Sequence, residues 1–535
     1  MAKHFLGIDV GTGSARAGLF DDQGTLLAAA KADIAIWQEA GGIVEQSSTD
    51  IWRAVCSCVR DAVWKAAVPP ESVAGIGFDA TCSLVVLGAG GEPLPVGPSG
   101  EPERNIIVWM DHRATEQARR INATGESVLN YVGGSISPEM ETPKLLWLSE
   151  NMPQTFTGAW QFMDLADFLT WKATASLARS TCTVTCKWTY LAHENRWDEG
   201  YFRQVGLGAL ADEGFSRIGT EVVPGGTALG GGLTAEAAAD LGLKPGTPVA
   251  AGLIDAHAGG VGTVGARGNV GSILTRMAYV FGTSACTMSS TREPAFVQGV
   301  WGPYYSAMIP GLWLNEGGQS AAGAAIDHLV RMHPASHEAA RIARENGTSL
   351  SHWLSLQAER RGGAAALSDL VGEVHVVPEF LGNRAPFADP EARGVIAGLG
   401  IDSDLDSLIA LYLAGICGLG YGARQIVQVL AEKDVAIDTI VVSGGAGQSP
   451  LVRQLLADTT GKVVAAPVSQ EPVLLGSAIL GAVAAGRYSD IDAAMASMSA
   501  MGETYQPNAS ATAWHEKRFK AFEMLQQVAK AIRTH

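Results

Sequence analysis

The sequence predicts an α/β protein with more than one domain. A chain of 535 residues exceeds what one ordinary core holds, so about two to four domains are expected. Hydrophobic residues make up 47% of the chain and charged residues 17%, which is the balance of a well-buried globular protein. The 64 glycines fall in short clusters between apolar runs, a pattern typical of tight strand-to-loop junctions in α/β enzymes.

The first elements are predicted to be a hairpin and a helix. Residues 5–9 and 15–20 predict two strands, each ending in a turn of small or polar residues. Residues 49–67 carry apolar side chains at helical spacing, with Thr49 or Asp50 as the expected cap. Residues 73–88 again predict a strand, a short polar turn and a strand.

Three later segments place polar side chains where elements meet. Residues 105–121 predict a strand that runs into a helix whose start carries Asp111. Residues 137–151 predict a helix with a proline just inside its start. Residues 247–262 predict a buried strand that ends in Asp255 and continues into a glycine-rich helix start.

The pattern of the first residues repeats in the second half of the chain. Residues 273–290 predict a strand, a Gly-Thr-Ser turn and another strand, which indicates an internal duplication. Residues 439–461 predict a strand, a Gly-Gly turn and a helix. We therefore expect domains at residues 1–265 and 266–490, followed by a C-terminal helical extension at residues 491–535.

Charge and cysteine content exclude several classes of protein. A net charge of −16 without a basic stripe argues against a nucleic-acid partner. The seven cysteines have no framework spacing, so a reducing, cytoplasmic location is expected, and a zinc site at Cys182 and Cys186 is not. No signal peptide or uninterrupted apolar run of about 18 residues is present, so no membrane partner is expected. A homodimer is left open.

The two glycine-rich turns predict a site for an anion. Small residues allow backbone N–H groups to point into one space and bind phosphate, although a tight hairpin is the alternative for either turn alone. The residues of these turns are Gly11, Thr12, Gly13 and Ser14 in the first, and Gly282, Thr283 and Ser284 in the second. Asp9 would repel a phosphate directly, so we expect Mg²⁺ between the two.

At this point the sequence resembles a known family. Asp-Val-Gly-Thr-Gly-Ser at residues 9–14, Gly-Thr-Ser at 282–284 and Ser-Gly-Gly-Ala-Gly-Gln at 443–448 are similar to the motifs of the actin, hexokinase and Hsp70 ATPase superfamily. Residues 142–151 and 382–399 resemble two signatures of the FGGY carbohydrate kinases. The resemblance covers roughly residues 4–490. It implies two ribonuclease-H-like, actin-like ATPase domains that flank a deep cleft.

The resemblance also implies roles for single residues. Asp255 matches the family's catalytic base and, with Asp9, is expected to bind the metal ion; the alternative is an ordinary helix-capping aspartate. ATP is expected to bind mostly on the second domain, and Gly444, Gly445 and Gln448 to contact it in addition to the two turns. The residues expected to bind the sugar are Asp79, Thr81, Cys82, Lys144, Asp255 and Glu316.

Other expectations concern residues beside these positions. Asp111 and Arg113 form either an ion pair in the cleft wall or a sugar contact. His112 and His257 are treated as incidental neighbours, and the loop with Asn383 and Arg384 as a brace for the hinge.

The implied activity is that of an ATP- and Mg²⁺-dependent sugar kinase. The segment at residues 316–329 resembles the ribulokinase-related branch, so we expect D-ribulose to be converted to D-ribulose 5-phosphate. L-Ribulose, D-xylulose and a pentitol such as ribitol remain alternatives, because they differ from D-ribulose only in the orientation of hydroxyls or by reduction of the carbonyl. A non-kinase actin-like ATPase would keep Asp9 and the turns but has no need of Lys144, Asp255 and Glu316 together.

Overall fold

The structure, a computed structural model, describes residues 3–533. Across these residues the chain forms 21 strands, which are β1 (His4–Val10), β2 (Ser14–Phe20), β3 (Leu26–Asp33), β4 (Trp37–Glu39), β5 (Ile43–Gln46), β6 (Val73–Ala80), β7 (Leu84–Leu87), β8 (Ile106–Ile107), β9 (Gln161–Asp164), β10 (Arg179–Ser180), β11 (Val222–Val223), β12 (Leu253–Ile254), β13 (Arg276–Phe281), β14 (Ala285–Thr291), β15 (Trp301–Tyr305), β16 (Trp313–Gln319), β17 (His375–Val377), β18 (Val395–Ala397), β19 (Thr439–Ser443), β20 (Val463–Pro467) and β21 (Met501–Tyr505).

Helices cover the faces of the sheets. Within the same residues the α-helices are α1 (Ser48–Ala66), α2 (Thr115–Asn122), α3 (Glu141–Asn151), α4 (Pro153–Gly158), α5 (Leu165–Thr174), α6 (Thr181–Lys187), α7 (Glu199–Gln204), α8 (Gly208–Asp212), α9 (Ala235–Leu241), α10 (Asp255–Val261), α11 (Gly323–Met332), α12 (Ser336–Glu345), α13 (Leu350–Arg360), α14 (Leu367–Val371), α15 (Leu405–Ala431), α16 (Pro450–Thr460), α17 (Pro472–Ala484), α18 (Ile491–Met498) and α19 (Thr512–Arg533).

Two central sheets, one in each half of the chain, share one topology. The first has the strand order β12-β6-β1-β2-β3, with β1, β2 and β3 antiparallel and β6 and β12 parallel to β1. In the second, β20-β19-β13-β14-β16 repeat that order and those directions, and β15 and β21 extend the two edges. The predicted α/β fold and the duplication of its strand–turn–strand unit are confirmed.

Three aspartates lie at one edge of the first sheet because of strand register. Asp9 on β1 pairs with Asp79 on β6, and Leu253 on β12 pairs with Asp79 from the other side. Asp255 follows directly after β12 and begins α10. In open α/β sheets, ligands bind outside the carboxyl ends of the parallel strands, so this edge is where a site is expected.

Helix α17 joins the two halves of the molecule. It follows β20 of the second sheet, yet it packs on β1 and β6 of the first sheet and on α10. A Cβ atom at Gly7 or Gly77 would collide with the backbone of α17, and one at Gly476 would collide with the carbonyl oxygen of Ala258 in α10. Glycine at these positions is therefore required by close backbone packing at the junction.

Helix α15 is long and apolar enough to cross a membrane, and no other helix within residues 3–533 is. Its most apolar stretch is 78% buried inside the protein, where it packs against α16, α11 and β17. We therefore assign it as the core helix of the second half.

Some local predictions are wrong. Helix α1 is capped by Ser47, whose Oγ accepts the Asp50 N–H at 3.2 Å, rather than by Thr49 or Asp50. Asp111 lies in a loop four residues before α2 rather than at the start of that helix, and β8 is only two residues long. Residues 491–535 are not a purely helical extension, since β21 pairs with β20 at the edge of the second sheet and α19 packs on β17.

Candidate active site

A cavity of about 140 Å³ lies between the two halves of the chain. From the first half it is lined by Thr81, Cys82, Trp109, Glu139, Lys187 and Asp255. From the second half it is lined by Ser284, Cys286, Trp301, Glu316 and Arg384. It is small beside the roughly 300–1,000 Å³ of typical ligand pockets, so a small polar ligand suits it best.

A larger groove, of about 960 Å³, runs beside α19. None of the predicted site residues lines it. Asn383 of the second signature does, and its amide donates to Glu379 Oε1 at 2.6 Å. We therefore place the chemistry in the smaller cavity, where acids and bases converge.

Asp255 reaches this cavity from the first turn of α10. The backbone N–H of Ala256 donates to its Oδ1 at 2.7 Å. Burial raises the pKa of Asp255 to about 6, and the negative charge of Asp9 adds to that rise. Above about pH 6 the carboxylate is ionised and can accept a proton from a hydroxyl in the cavity.

Asp9 and Asp79 lie side by side on the paired strands β1 and β6, at the same end of the sheet as Asp255. Asp9 Oδ2 accepts the Nε–H of Arg16 at 2.7 Å, and Arg16 also contacts Glu471 at 2.9 Å. Asp79 is buried outside the cavity, where its Oδ2 accepts the Ser477 hydroxyl at 2.6 Å. Burial, and then the charge of Asp9, raises the pKa of Asp79 well above its usual value. The structure thus does not bring Asp79 to the predicted sugar site.

The donors at this edge fit a magnesium ion. Asp9 and Asp255 offer carboxylate oxygens, which Mg²⁺ prefers. The negative charge of Asp9 contributes to the raised pKa of Asp255. A divalent cation would relieve this repulsion.

Lys187, rather than the predicted Lys144, lies at the cavity. Lys144 is fully buried away from it and pairs with Glu141 Oε1 at 3.3 Å. Lys187 ends α6, and its Nζ lies 4.8 Å from the centre of the Trp301 ring. No carboxylate of residues 3–533 approaches Lys187 within 4.0 Å, so its donors are available to a ligand. No feature of the sequence marks Lys187 as a site residue, because a lysine at a helix C-terminus is favoured by the dipole.

Glu316 is the carboxylate on the opposite wall. Burial alone would raise its pKa, but Lys187 and His257 outweigh burial and lower the pKa to about 2. His257 Nε2 lies 3.2 Å from Glu316 Oε2. Burial lowers the pKa of His257, but the neighbouring Cys182 and Glu316 raise it by more. The pKa of His257 is therefore about 10. His257 is therefore not an incidental neighbour.

Of the other residues named from the sequence, Thr81, Cys82 and Arg384 line the cavity and Arg113 does not. Thr81 and Cys82 line it from the loop between β6 and β7, and burial raises the pKa of Cys82, so that its thiol stays protonated. Arg384 also lines it, with its guanidinium 5.4 Å from the centre of the Trp301 ring, although a hinge brace was expected. Arg113 is not in the cavity and pairs with Asp111 at 2.7 Å, which fits the ion-pair alternative.

The first phosphate turn leaves open space. The Gly11 N–H donates to the Ser14 carbonyl at 3.0 Å, whereas the N–H groups of Thr12 and Gly13 make no backbone hydrogen bond within residues 3–533. A Cβ atom at Gly11 would meet nothing closer than 3.8 Å, and one at Gly13 nothing within 4 Å. The fold therefore does not require these glycines, which favours approach by a ligand.

The second phosphate turn is closed by the same kind of backbone hydrogen bond as the first. The Gly282 N–H donates to the Ser284 carbonyl at 2.9 Å, and the Thr283 carbonyl accepts the N–H of Ala322 at 2.9 Å at the start of α11. Ser284 reaches the cavity of Asp255.

The glycine pair after β19 borders the second phosphate turn. Gly444 has φ 90°, and a Cβ atom there would lie 2.5 Å from the Phe281 carbonyl oxygen, so this glycine is required by the fold. Gly445 meets nothing within 4 Å, and Gln448 is exposed. These two positions are thus open to a nucleotide.

Comparisons with known proteins show which proteins this chain is similar to. The sequence profile of the N-terminal domain of the FGGY family of carbohydrate kinases matches residues 4–262, and the profile of the C-terminal domain matches residues 277–485. A human FGGY carbohydrate kinase domain-containing protein is 44% identical over 97% of this chain and 95% of its own. A D-ribulokinase of Saccharomyces cerevisiae is 38% identical over 90% of this chain and 72% of its own. A ribulokinase of Anoxybacillus flavithermus is 29% identical over 98% of this chain and 94% of its own.

Solved structures share the fold. A xylulose kinase from Rhodospirillum rubrum superposes with a TM-score of 0.80 at 20% identity, covering 100% of both chains. Plasmodium falciparum glycerol kinase with ADP superposes with a TM-score of 0.77 at 16% identity, covering 98% of each chain. The architecture that the family resemblance implied is therefore confirmed.

Proposed function

Because the chain belongs to the FGGY family of carbohydrate kinases, we propose that it transfers the γ-phosphoryl group of ATP to the 5-hydroxyl of D-ribulose, which yields D-ribulose 5-phosphate. One observation carries this proposal: a single cavity holds Asp255 of the first half and Ser284 of the second phosphate turn. An acceptor hydroxyl beside Asp255 therefore also lies beside a turn built to approach phosphate.

Asp255 is the proposed general base. Its carboxylate takes the proton of the sugar hydroxyl as the oxygen attacks the γ-phosphorus, the bond from that phosphorus to the bridging oxygen of the β-phosphate breaks, and ADP leaves. The two turns bind the phosphates through backbone N–H and hydroxyl groups, and Gly445 and Gln448 lie open toward the nucleotide. Mg²⁺, held by Asp9 and Asp255, would neutralise phosphate charge.

The remaining cavity groups suit a polyhydroxy ligand. Lys187 and Arg384 supply donors, while Glu316 and Glu139 supply acceptors. Sugar hydroxyls both donate and accept, so this mixture can hold several of them at once. The Trp301 ring lies near both cations, with its centre 4.8 Å from Lys187 Nζ and 5.4 Å from the Arg384 guanidinium. The first half supplies Lys187 and Glu139 and the second half supplies Glu316 and Arg384, so the sugar bridges the two halves.

D-Ribulose is preferred over the alternatives because of the relatives. The yeast relative that carries the name D-ribulokinase is more similar to this chain than the bacterial relative named ribulokinase. D-Xylulose differs from D-ribulose at one stereocentre, L-ribulose differs at both, and ribitol differs by reduction of the carbonyl. A reducing compartment such as the cytoplasm fits the proposal, since none of the seven cysteines is paired in residues 3–533.

Steady-state kinetics across a panel of sugars test the proposal. The value of kcat/KM with Mg-ATP should be highest for D-ribulose, lower for L-ribulose, D-xylulose and ribitol, and lowest for glycerol. Phosphorus NMR of the product should show a phosphate ester on carbon 5. ATP turnover that does not respond to any of these compounds would refute the kinase assignment, and a higher kcat/KM for another pentose would refute D-ribulose alone.

A further inference from the structure

A chain of buried polar contacts lies behind the sugar cavity. Cys182 Sγ on α6 lies 3.0 Å from His257 Nδ1 on α10, and His257 Nε2 lies 3.2 Å from Glu316 Oε2 on β16. The backbone N–H of Ile254 also donates to Cys182 Sγ at 3.4 Å. All three side chains are buried, so water does not compete with these contacts.

Both nitrogens of the His257 ring are occupied. Glu316 is a carboxylate, so Nε2 must carry the proton that it donates to Oε2. Nδ1 then either donates to a Cys182 thiolate or accepts from the thiol, and in both arrangements the sulfur fixes the plane of the ring. The ring in turn fixes Oε2. Glu316 Oε1 makes no hydrogen bond within residues 3–533, although its residue lines the cavity.

We propose that Cys182 and His257 are positioning residues that hold Glu316 Oε2, so that Oε1 faces the sugar and accepts one of its hydroxyls. This inference rests on the proposed function, because it takes Glu316 as a sugar ligand. A carboxylate held at one oxygen loses less freedom when the ligand binds at the other, and preorganisation of this kind increases affinity.

The same groups could serve a different purpose. The ligand atoms of Cys182, Cys186 and His257 lie within 4.8 Å of one another, which is a spacing that a thiophilic metal ion can use. However, Cys182 Sγ already contacts two hydrogen-bonding groups, so the cluster is satisfied by its own residues. Metal content is therefore measured as part of the test.

Sugar binding in four variants tests the proposal. Cys182→Ala and His257→Leu should each raise the KM for the sugar by about tenfold, the cost of one lost hydrogen bond to a charged group, with little change in the KM for ATP. Cys182→Ser and His257→Gln keep an acceptor and a donor, and should return the KM to within about threefold of wild type. A KM for the sugar that stays at the wild-type value in Cys182→Ala and His257→Leu would overturn the proposal.

Cys417→Ala is the matched control, because Cys417 is an equally buried cysteine in α15 that lies outside the site. It should leave both KM values unchanged. If Cys417→Ala raises the KM for the sugar as much as Cys182→Ala does, the effect is general loss of packing and the proposal fails.

A double-mutant cycle separates this proposal from the proposed function. Cys182 and Glu316 share His257, so the effects of Cys182→Ala and Glu316→Gln on the free energy of unfolding in urea should not add, even without any sugar. Additive effects would show that Cys182 and Glu316 are not coupled through His257, and would overturn the proposal. If the cycle shows coupling but no sugar is phosphorylated, the proposed function fails, while the coupling of Cys182 to Glu316 through His257 stands.

Elemental analysis of the purified chain after dialysis against a chelator completes the test. No stoichiometric zinc is expected. If the chain retains one equivalent of zinc and Cys182→Ala does not, these residues form a metal site rather than a chain of hydrogen bonds. That result would overturn the inference.

Discussion

Trp109, which lines the sugar cavity, donates its indole N–H to Thr12 Oγ1 in the first phosphate turn at 2.9 Å. The Thr12 carbonyl also accepts the Gln46 side-chain amide at 2.7 Å, so the turn is held from two sides. The wall of the proposed sugar site and the turn that is proposed to bind the phosphates are thus one connected structure. A change on either side should be felt on the other.

Trp109→Phe should raise the KM for the sugar and the KM for ATP together. Phenylalanine keeps an aromatic wall but loses the hydrogen bond to Thr12, which contributes about 1 kcal/mol, so each KM should rise about fivefold. Initial rates with one substrate varied and the other saturating measure both constants. A rise in the KM for the sugar alone would show that the contact does not connect the two sites.

Asp255→Asn should abolish phosphoryl transfer and leave nucleotide binding largely intact. The amide cannot accept the proton of the hydroxyl, and loss of a general base lowers kcat by about 10²–10⁴-fold. Calorimetry with ATP and no sugar measures the retained binding. A variant that keeps about a tenth of the wild-type kcat would remove Asp255 from the role of base.

The rate should fall as the pH drops through the pKa of Asp255. Burial and the charge of Asp9 raise this pKa to about 6, so the carboxylate is ionised above that pH and loses its charge below it. With both substrates well below saturation, the rate should decline about tenfold per pH unit below the inflection. Glu316, with a pKa of about 2, and His257, with a pKa of about 10, keep their charges over this range.

Two measurements check the origin of that inflection. Asp9→Asn removes a negative charge near Asp255 and should move the inflection to lower pH, in whatever activity remains. Circular dichroism over the same range should show that the fold is unchanged. A rate that is constant from about pH 5 to 8 would contradict the assignment of Asp255 as the titrating base.

The turns and the strand ends could be read from the sequence, because they depend on local chemistry. Asp9, Gly11 and Asp255 stand beside short apolar runs, and strands with such ends point their polar residues to one edge of a sheet. The course of α17 could not be read, since its contact with Gly7 joins residues more than 400 positions apart in the chain. Periodicity gives no information about such packing.

Gly13→Ala should weaken ATP binding without affecting the fold. A Cβ atom at this position meets no protein atom within 4 Å, so stability should change by less than about 0.5 kcal/mol. The new methyl group occupies space that the phosphates need, and the Kd for ATP should rise about tenfold or more. Gly158→Ala, at an equally open position in α4, is the control and should change neither quantity. Normal ATP binding by Gly13→Ala would argue against a phosphate site at this turn.

Lys187 lines the cavity but was not predicted from the sequence, and the reason is that its position depends on tertiary packing. The family resemblance pointed to Lys144, and a cation at the start of α3, which the helix dipole disfavours, was an anomaly that agreed with a role in binding. In the structure the anomaly is resolved by Glu141 in the same turn, so it carries no information about a ligand. Lys187 reaches the cavity only because α6 packs on β12 and β15, a contact that no sequence spacing records.

Lys187→Met and Lys144→Met should therefore have opposite effects. Lys187 has Trp301 but no carboxylate within 4.0 Å in residues 3–533, so its loss should raise the KM for the sugar by about tenfold or more while the fold stays intact. Lys144→Met leaves Glu141 buried and unpaired, which should lower the free energy of unfolding by about 3–5 kcal/mol, with the KM for the sugar unchanged in the molecules that fold. Urea unfolding and sugar kinetics on both variants measure the two quantities. If Lys144→Met raises the KM for the sugar and Lys187→Met does not, the ligand contacts Lys144 and the cavity is not its binding site.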